Sequence, residues 1–194
     1  MDAETTLSGQ TKKEENWLRY REIGFGYLYL DVRGYEMLFD DECDRIPDFI
    51  DIYNHLKNGE CGDWRIWDEL DVWIAFTAPE QRKDIVYLSA GAEGEYSSIT
   101  RVYWRKDILQ MLKDVFKSLL MDKDFPYQYP CFGELDEAMC EKAQDEAELQ
   151  AKGDSDLEDD LYKAACREGR VLLTPAGKEH YLRYKKMLED CINS

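Results

Sequence analysis

Four carboxylates, Asp63, Asp68, Glu69 and Asp71, flank Trp64 and Trp67 in the run GDWRIWDELD (62–71). Oxygen ligands at this spacing could hold Mg²⁺, and two carboxyls in unequal surroundings could divide the roles of acid and base. The indole rings single the segment out, because a carboxyl beside an apolar ring loses water and its charged form is disfavoured. A second cluster, DDECD (40–44), offers the same ligand types. With 42 acidic residues in the chain, such clusters also arise by chance, so they are weak metal candidates.

Other chemistry is sparse. Of two histidines, His55 flanks the apolar stripe of a helix and His180 lies in a basic run beside Tyr181. Neither has a nucleophile within the constellation that acid–base or covalent catalysis requires. Six cysteines, at 43, 61, 131, 140, 166 and 191, include no C-x-x-C pair, so reduced thiols are expected rather than zinc ligands. P-loop, G-x-S-x-G, H-E-x-x-H and G-x-G-x-x-G signatures are missing, and GFG at 24–26 is a lone G-x-G in a strand-like stretch. The run DSDLEDD (154–160) alternates acids but lacks the glycine and terminal glutamate of an EF-hand loop. No cofactor is implied, and a non-enzymatic role is favoured over an enzyme of unrecognised, metal-assisted type.

Charge is the strongest global signal. A formal net charge of −17 disfavours direct binding to phosphate backbones or anionic membranes and favours fast association with basic proteins. Residues 134–160 hold twelve acids and two lysines. Part of this has a local cause. Ser155-x-x-Glu158 fits a capping box, and Asp156, Glu158, Asp159 and Asp160 sit where a helix dipole favours anions. Lys163 and Arg167 lie toward the other end, and Leu157, Leu161, Ala164 and Ala165 form a packing face. The preceding helix has only the thin stripe Leu135, Met139, Ala143 and Ala147, with Glu141, Asp145 and Glu148 on the wet side and Glu137 nearby. Lys178, Arg183, Lys185 and Lys186 of the last helix are expected to neutralise some of that charge.

The elements that position these groups follow from periodicity. Residues 1–16 lack it and are expected to be a tail. An α+β core is expected over 17–133: an antiparallel sheet of four to six strands covered by helices, followed by a helical C-terminal third over 134–194 that packs on it. GFGYLYLDV (24–32), YEMLF (35–39), DVWIAFT (71–77), DIVYLSA (84–90) and SSITRVYW (97–104) read as strands, with WRIW (64–67) as an added edge. DRIPDFIDIYNHLKNG (44–59) reads as a helix capped by Asp44 and stopped by Gly59. RKDILQMLKDVFKSLL (105–120) is the clearest amphipathic helix and should lie across the sheet. Residues 122–133, with Phe125, Tyr127, Tyr129 and two prolines, form a loop whose aromatics either dock on the core or stand exposed as anchors. Helices are expected over 134–151, 155–167 and 175–191.

GRVLLTPAGKEHYLRYKKML (169–188) is similar to the segment of winged-helix regulators that runs from the wing into the last helix. The similarity covers about twenty residues, and no recognition helix precedes it; Glu158, Asp159 and Asp160 would face a major groove poorly. The run reads as strand, cap and helix, with Thr174 as N-cap and Pro175 in the first turn. No apolar run could span a bilayer, and a soluble cytoplasmic protein is expected. The functional expectation is an acidic interaction protein of inhibitor, immunity or anti-defence type, blocking a basic partner by charge complementarity. Its surface would comprise Glu137, Glu141, Asp145, Glu148, Asp156, Asp159 and Asp160, with Phe125, Tyr127 and Tyr129 as anchors. A structural subunit of a larger assembly is the other non-enzymatic reading.

Overall fold

The computed structural model describes residues 17–24, 27–32, 35–40, 45–67, 72–92, 98–127 and 135–194. Its class is α+β, with seven strands and five helices among those residues. The strands divide between two antiparallel sheets. β1 (Leu18–Gly24), β2 (Tyr27–Val32) and β3 (Tyr35–Asp40) form one in that order, and β4 (Gly62–Trp67), β5 (Val72–Ala78), β6 (Ile85–Ala92) and β7 (Ile99–Trp104) form the other as a meander. WRIW therefore lies in an edge strand, as its aromatic and β-branched content suggests. GFGYLYLDV is not one strand: Gly24 closes β1, Tyr27 opens β2, and the two pair with each other. Asp44, read as a helix cap, lies outside the described residues.

The first sheet buries alternate residues. Leu28, Leu30 and Val32 of β2 face the core with Met37 and Phe39 of β3. Helix α1 (Ile46–Lys57) has Arg45 at its N-cap, with no side-chain capping bond, carries proline in its first turn, and buries Phe49, Ile50, Tyr53 and Leu56. It stops where Gly59 adopts φ +76°, a conformation that glycine takes without the cost a Cβ would impose. Helix α2 (Arg105–Met121) begins directly at the end of β7 and buries Ile108, Met111, Leu112, Val115, Phe116 and Leu119 against the strands. Arg105 is buried at this corner. Its Nε donates to the Lys83 carbonyl at 2.5 Å, and its Nη1 donates to the carbonyls of Leu56 and Glu60 at 3.0 and 2.9 Å. A cation thus meets the carbonyl end of α1, where the helix dipole is negative.

Three helices complete the chain: α3 (Glu137–Ala151), α4 (Ser155–Arg167) and α5 (Pro175–Ile192). α5 packs principally on α1 and α2, contributing Tyr184, Leu188 and Cys191 to the main core. Thr174 caps α5 by accepting from the Gly177 amide at 3.1 Å, with Pro175 in the first turn. The strand expected before Thr174 is reduced to a single bridge between Leu135 and Leu173. α3 and α4 pack on each other around a second, smaller core of Ala143, Ala165, Cys166 and Val171. No helix among the described residues is long and apolar enough to cross a membrane.

Candidate functional site

α3 is a helix defined by its ends more than by its packing. Asp136 caps it, accepting from the Met139 amide at 3.0 Å, while the Asp136 amide donates to the Leu172 carbonyl at 2.9 Å. At the other end Lys152 (φ 55°) and Gly153 (φ 90°) take left-handed conformations and reverse the chain. Asp154 then caps α4, accepting from the Leu157 amide at 3.2 Å. The capping box assigned to Ser155 is displaced by one residue: Ser155 is the first helical position, and Asp154 does the capping. Both residue types cap well, and the reversal at Lys152-Gly153 delivers Asp154 to the position first.

Between these ends α3 buries only Ala143, Ala147 and Ala151. Methyl-sized groups contribute about 0.8 kcal/mol each when buried, so the seam is weak. Glu137, Glu141, Asp145 and Glu148 are all exposed. Spaced by four, four and three residues, they form one ridge along roughly 16 Å of helix. Each like-charged neighbour pair on that ridge costs about 0.2–0.5 kcal/mol. Of the other α3 acids, Glu146 pairs with Arg170 at 3.0 Å. α5, whose cations were expected to relieve this charge, packs principally on α1 and α2.

The remaining candidate residues divide. Asp156 and Asp160 of α4 are exposed. Asp159 is not available in the same way: it pairs with Lys163 at 2.6 Å, with the two side chains only 14% and 15% exposed. Burial alone would lower the Lys163 ammonium, but the Asp159 carboxylate holds it above its ordinary range. Phe125 is buried edge-on against Tyr181, 5.4 Å between ring centres, and is therefore part of the core and no anchor. Tyr127 is half-buried against the second core, and Tyr129 lies outside the described residues. Sequence reasoning missed two exposed leucines beside the acids, Leu149 (80% exposed) and Leu157 (43%), the latter expected on the packing face. Leu149 could have been found from its helical angle: it follows Ala147 by two residues, which turns it roughly 200° away from the seam.

The 122–127 segment is docked by polar groups as well as by Phe125. Arg167 holds the buried carboxylate of Asp124, and this pairing raises the Arg167 guanidinium further above its ordinary range. The Tyr20 hydroxyl donates to Asp122 Oδ2 at 2.5 Å, and the Asp124 amide donates to Asp122 Oδ1 at 2.9 Å. Burial, with the hydrogen bond and charge of Asp122, pushes the Tyr20 phenol well above its usual range.

Of the metal candidates, Asp63 is exposed and accepts from the Thr77 hydroxyl at 2.7 Å; Asp68, Glu69 and Asp71 lie outside the described residues. Among the described residues no group of three His, Cys, Asp or Glu side chains is placed to hold a metal ion. His55 stacks on Trp64 at 5.2 Å and sits 2.6 Å from Glu60, whose carboxyl this hydrogen bond lowers. His180 lies against the ring of Tyr184 at 4.3 Å. Comparison of the chain with protein-family models, with curated proteins and with solved structures found no match.

Proposed function

We propose that the protein is a non-enzymatic acidic interaction protein whose α3 ridge binds and blocks a basic surface on a partner protein. The observation that carries this reading is the exposed line of Glu137, Glu141, Asp145 and Glu148 on a helix buried only through alanines. Lys142 is the one cation within α3, set against five acids. The ridge keeps its self-repulsion, and a cationic partner would relieve it. Asp156 and Asp160 extend the negative field onto α4, and Leu149 supplies an apolar contact within it. Carboxylates about 6 Å apart along a helix also offer a basic nucleic-acid-binding surface a row of anions in place of phosphates. That would make the protein a competitive blocker.

The test replaces the ridge without touching the seam. The partner is first captured from cell extract at low salt and released at high salt. The variant E137Q/E141Q/D145N/E148Q should then associate with it at least about tenfold more slowly, with a flatter salt dependence. Its thermal stability should be unchanged or slightly higher, because the like-charge cost is gone. Association at the native rate by the folded variant would sink the reading.

A further inference from the structure

We propose that Cys140 of α3 and Cys166 of α4 are a thiol pair that closes to a disulfide under a two-electron oxidant such as hydrogen peroxide, locking the α3–α4 hairpin. The hairpin geometry sets the pair opposite each other. The chain reverses at Lys152 and Gly153, and Cys140 and Cys166 each lie thirteen residues from Gly153 in antiparallel helices. Both belong to the small second core, Cys166 fully buried in it and Cys140 packed half-exposed against it. The seam beside them is built from Ala143, Ala147, Ala151 and Ala165. Helices that meet through alanines approach closely, toward the Cα separations of about 4.4–6.8 Å that a disulfide needs. Tyr162, one helical turn before Cys166, packs against the same small core as Cys140.

The chemistry balances with peroxide as the sole co-reactant. Cys140, the more accessible thiol, attacks one peroxide oxygen as its thiolate. An S–O bond forms, the O–O bond breaks, and the departing hydroxide takes up a proton as water. The Cys166 sulfur then attacks the sulfenic sulfur of Cys140. The S–S bond forms, the S–O bond breaks, and a second water leaves with the Cys166 proton. Two thiols and one hydrogen peroxide give one disulfide and two waters. Burial pushes the Tyr162 phenol up, so it stays protonated while the thiols react. The other described cysteines lie elsewhere: the Cys61 sulfur faces the Pro79 carbonyl at 3.8 Å, and Cys191 is buried in the main core.

The experiment uses the intact wild-type chain, so no folding defect can obscure it, and it does not depend on any partner. The reduced protein is titrated with hydrogen peroxide under native conditions, alkylated, digested without reductant and analysed by mass spectrometry. A peptide pair joining Cys140 to Cys166 and lacking two hydrogens is expected to dominate, to vanish with dithiothreitol and to accompany a rise in Tm. In C166S, the Cys140 sulfenic acid should persist long enough for dimedone to trap it. Predominant linkage of Cys140 to Cys43, Cys61, Cys131 or Cys191 would overturn the proposal. So would progression of Cys140 to sulfinic acid while Cys166 stays reduced.

Discussion

Arg167 on α4 sets its Nε 2.8 Å from one carboxylate oxygen of Asp124 and directs Nη2 to the other, a two-point grip on a buried anion. The grip fastens a hairpin with a small core of its own to the segment that leaves α2. Removing the cation strands the Asp124 charge away from water. For a fully buried pair that costs about 3–5 kcal/mol. The Arg167 side chain is 47% exposed, so solvent screens part of the loss and R167M should destabilise by about 2–3 kcal/mol. In urea unfolding, D124N/R167M should be less destabilised than the sum of the single variants, because the stranded charge is then gone as well.

Tyr20 predicts behaviour in base. Its folded phenol is held above the value of about 10 that an unfolded tyrosine has, so the unfolded chain gives up this proton first. The corresponding stability is fully present below about pH 10 and is lost as pH rises beyond it. Y20F should shallow the alkaline decline in stability. In the wild type, absorbance at 295 nm should show phenols that ionise only on unfolding. Tyr29 and Tyr162, also shifted upward by burial, will retain part of the slope in the variant.

Much of this architecture was legible because periodicity speaks for single elements. α2 and α4 fall where the apolar spacing of Ile108, Leu112, Val115 and Leu119 and the caps near residue 154 place them. β1 was not legible, and the reason is local. Its register against β2 shifts between Tyr20 and Glu22, so Leu18 and Ile23 face the core from positions of opposite parity and no alternation appears. The division into two sheets was hidden because α1 separates them in sequence, and strand patterns do not say which strands pair. At the candidate surface, the exposed α3 acids could be read from their angle to the alanine stripe. The pairing of Asp159 with Lys163 is local, four residues apart on one helix, and could have been read from that spacing. The burial of Phe125 and the pairing of Asp124 with Arg167 depend on docking, and Asp124 lies forty-three positions from its partner.

Gly91 on β6 illustrates a constraint that the aromatic content of the sheet imposes. A Cβ built there would meet Trp73 Cζ2 at 2.8 Å, and Trp73 is already stacked under the Arg65 guanidinium at 4.4 Å. G91A should therefore push the indole aside and cost about 1–3 kcal/mol, the usual range for overpacking. A shift in tryptophan emission should accompany the loss. A fully native spectrum and stability would mean that the ring has room to move.

Leu149 separates binding from folding. At 80% exposure its side chain contributes little to the α3–α4 seam, so L149Q should change stability by no more than about 0.5 kcal/mol. If the ridge is the partner surface, the same change removes an apolar contact beside Asp145 and should speed dissociation while leaving the charge-steered association rate nearly intact. The charge variants should show the opposite division. Equal effects of both on association would argue against Leu149 as a contact.

The two cores predict two levels of protection. The main core joins both sheets with α1, α2 and α5, whereas α3 and α4 share a core of Ala143, Ala165, Cys166 and Val171. So little apolar area cannot bind the hairpin to the global unfolding step as tightly as β5 and β6 are bound. Native-state hydrogen exchange should show α3 amides exchanging through an opening that costs less than global unfolding, with β5 and β6 amides near the global limit. R167M should lower the hairpin's opening cost by more than that of the sheet, since it removes the tether at Asp124. The disulfide proposed between Cys140 and Cys166 should raise the opening cost of α3 and α4, because it closes the hairpin at the end away from its turn. Uniform exchange across α3 and β5 would mean that the polar tether, and not the size of the core, sets the cooperativity of the fold.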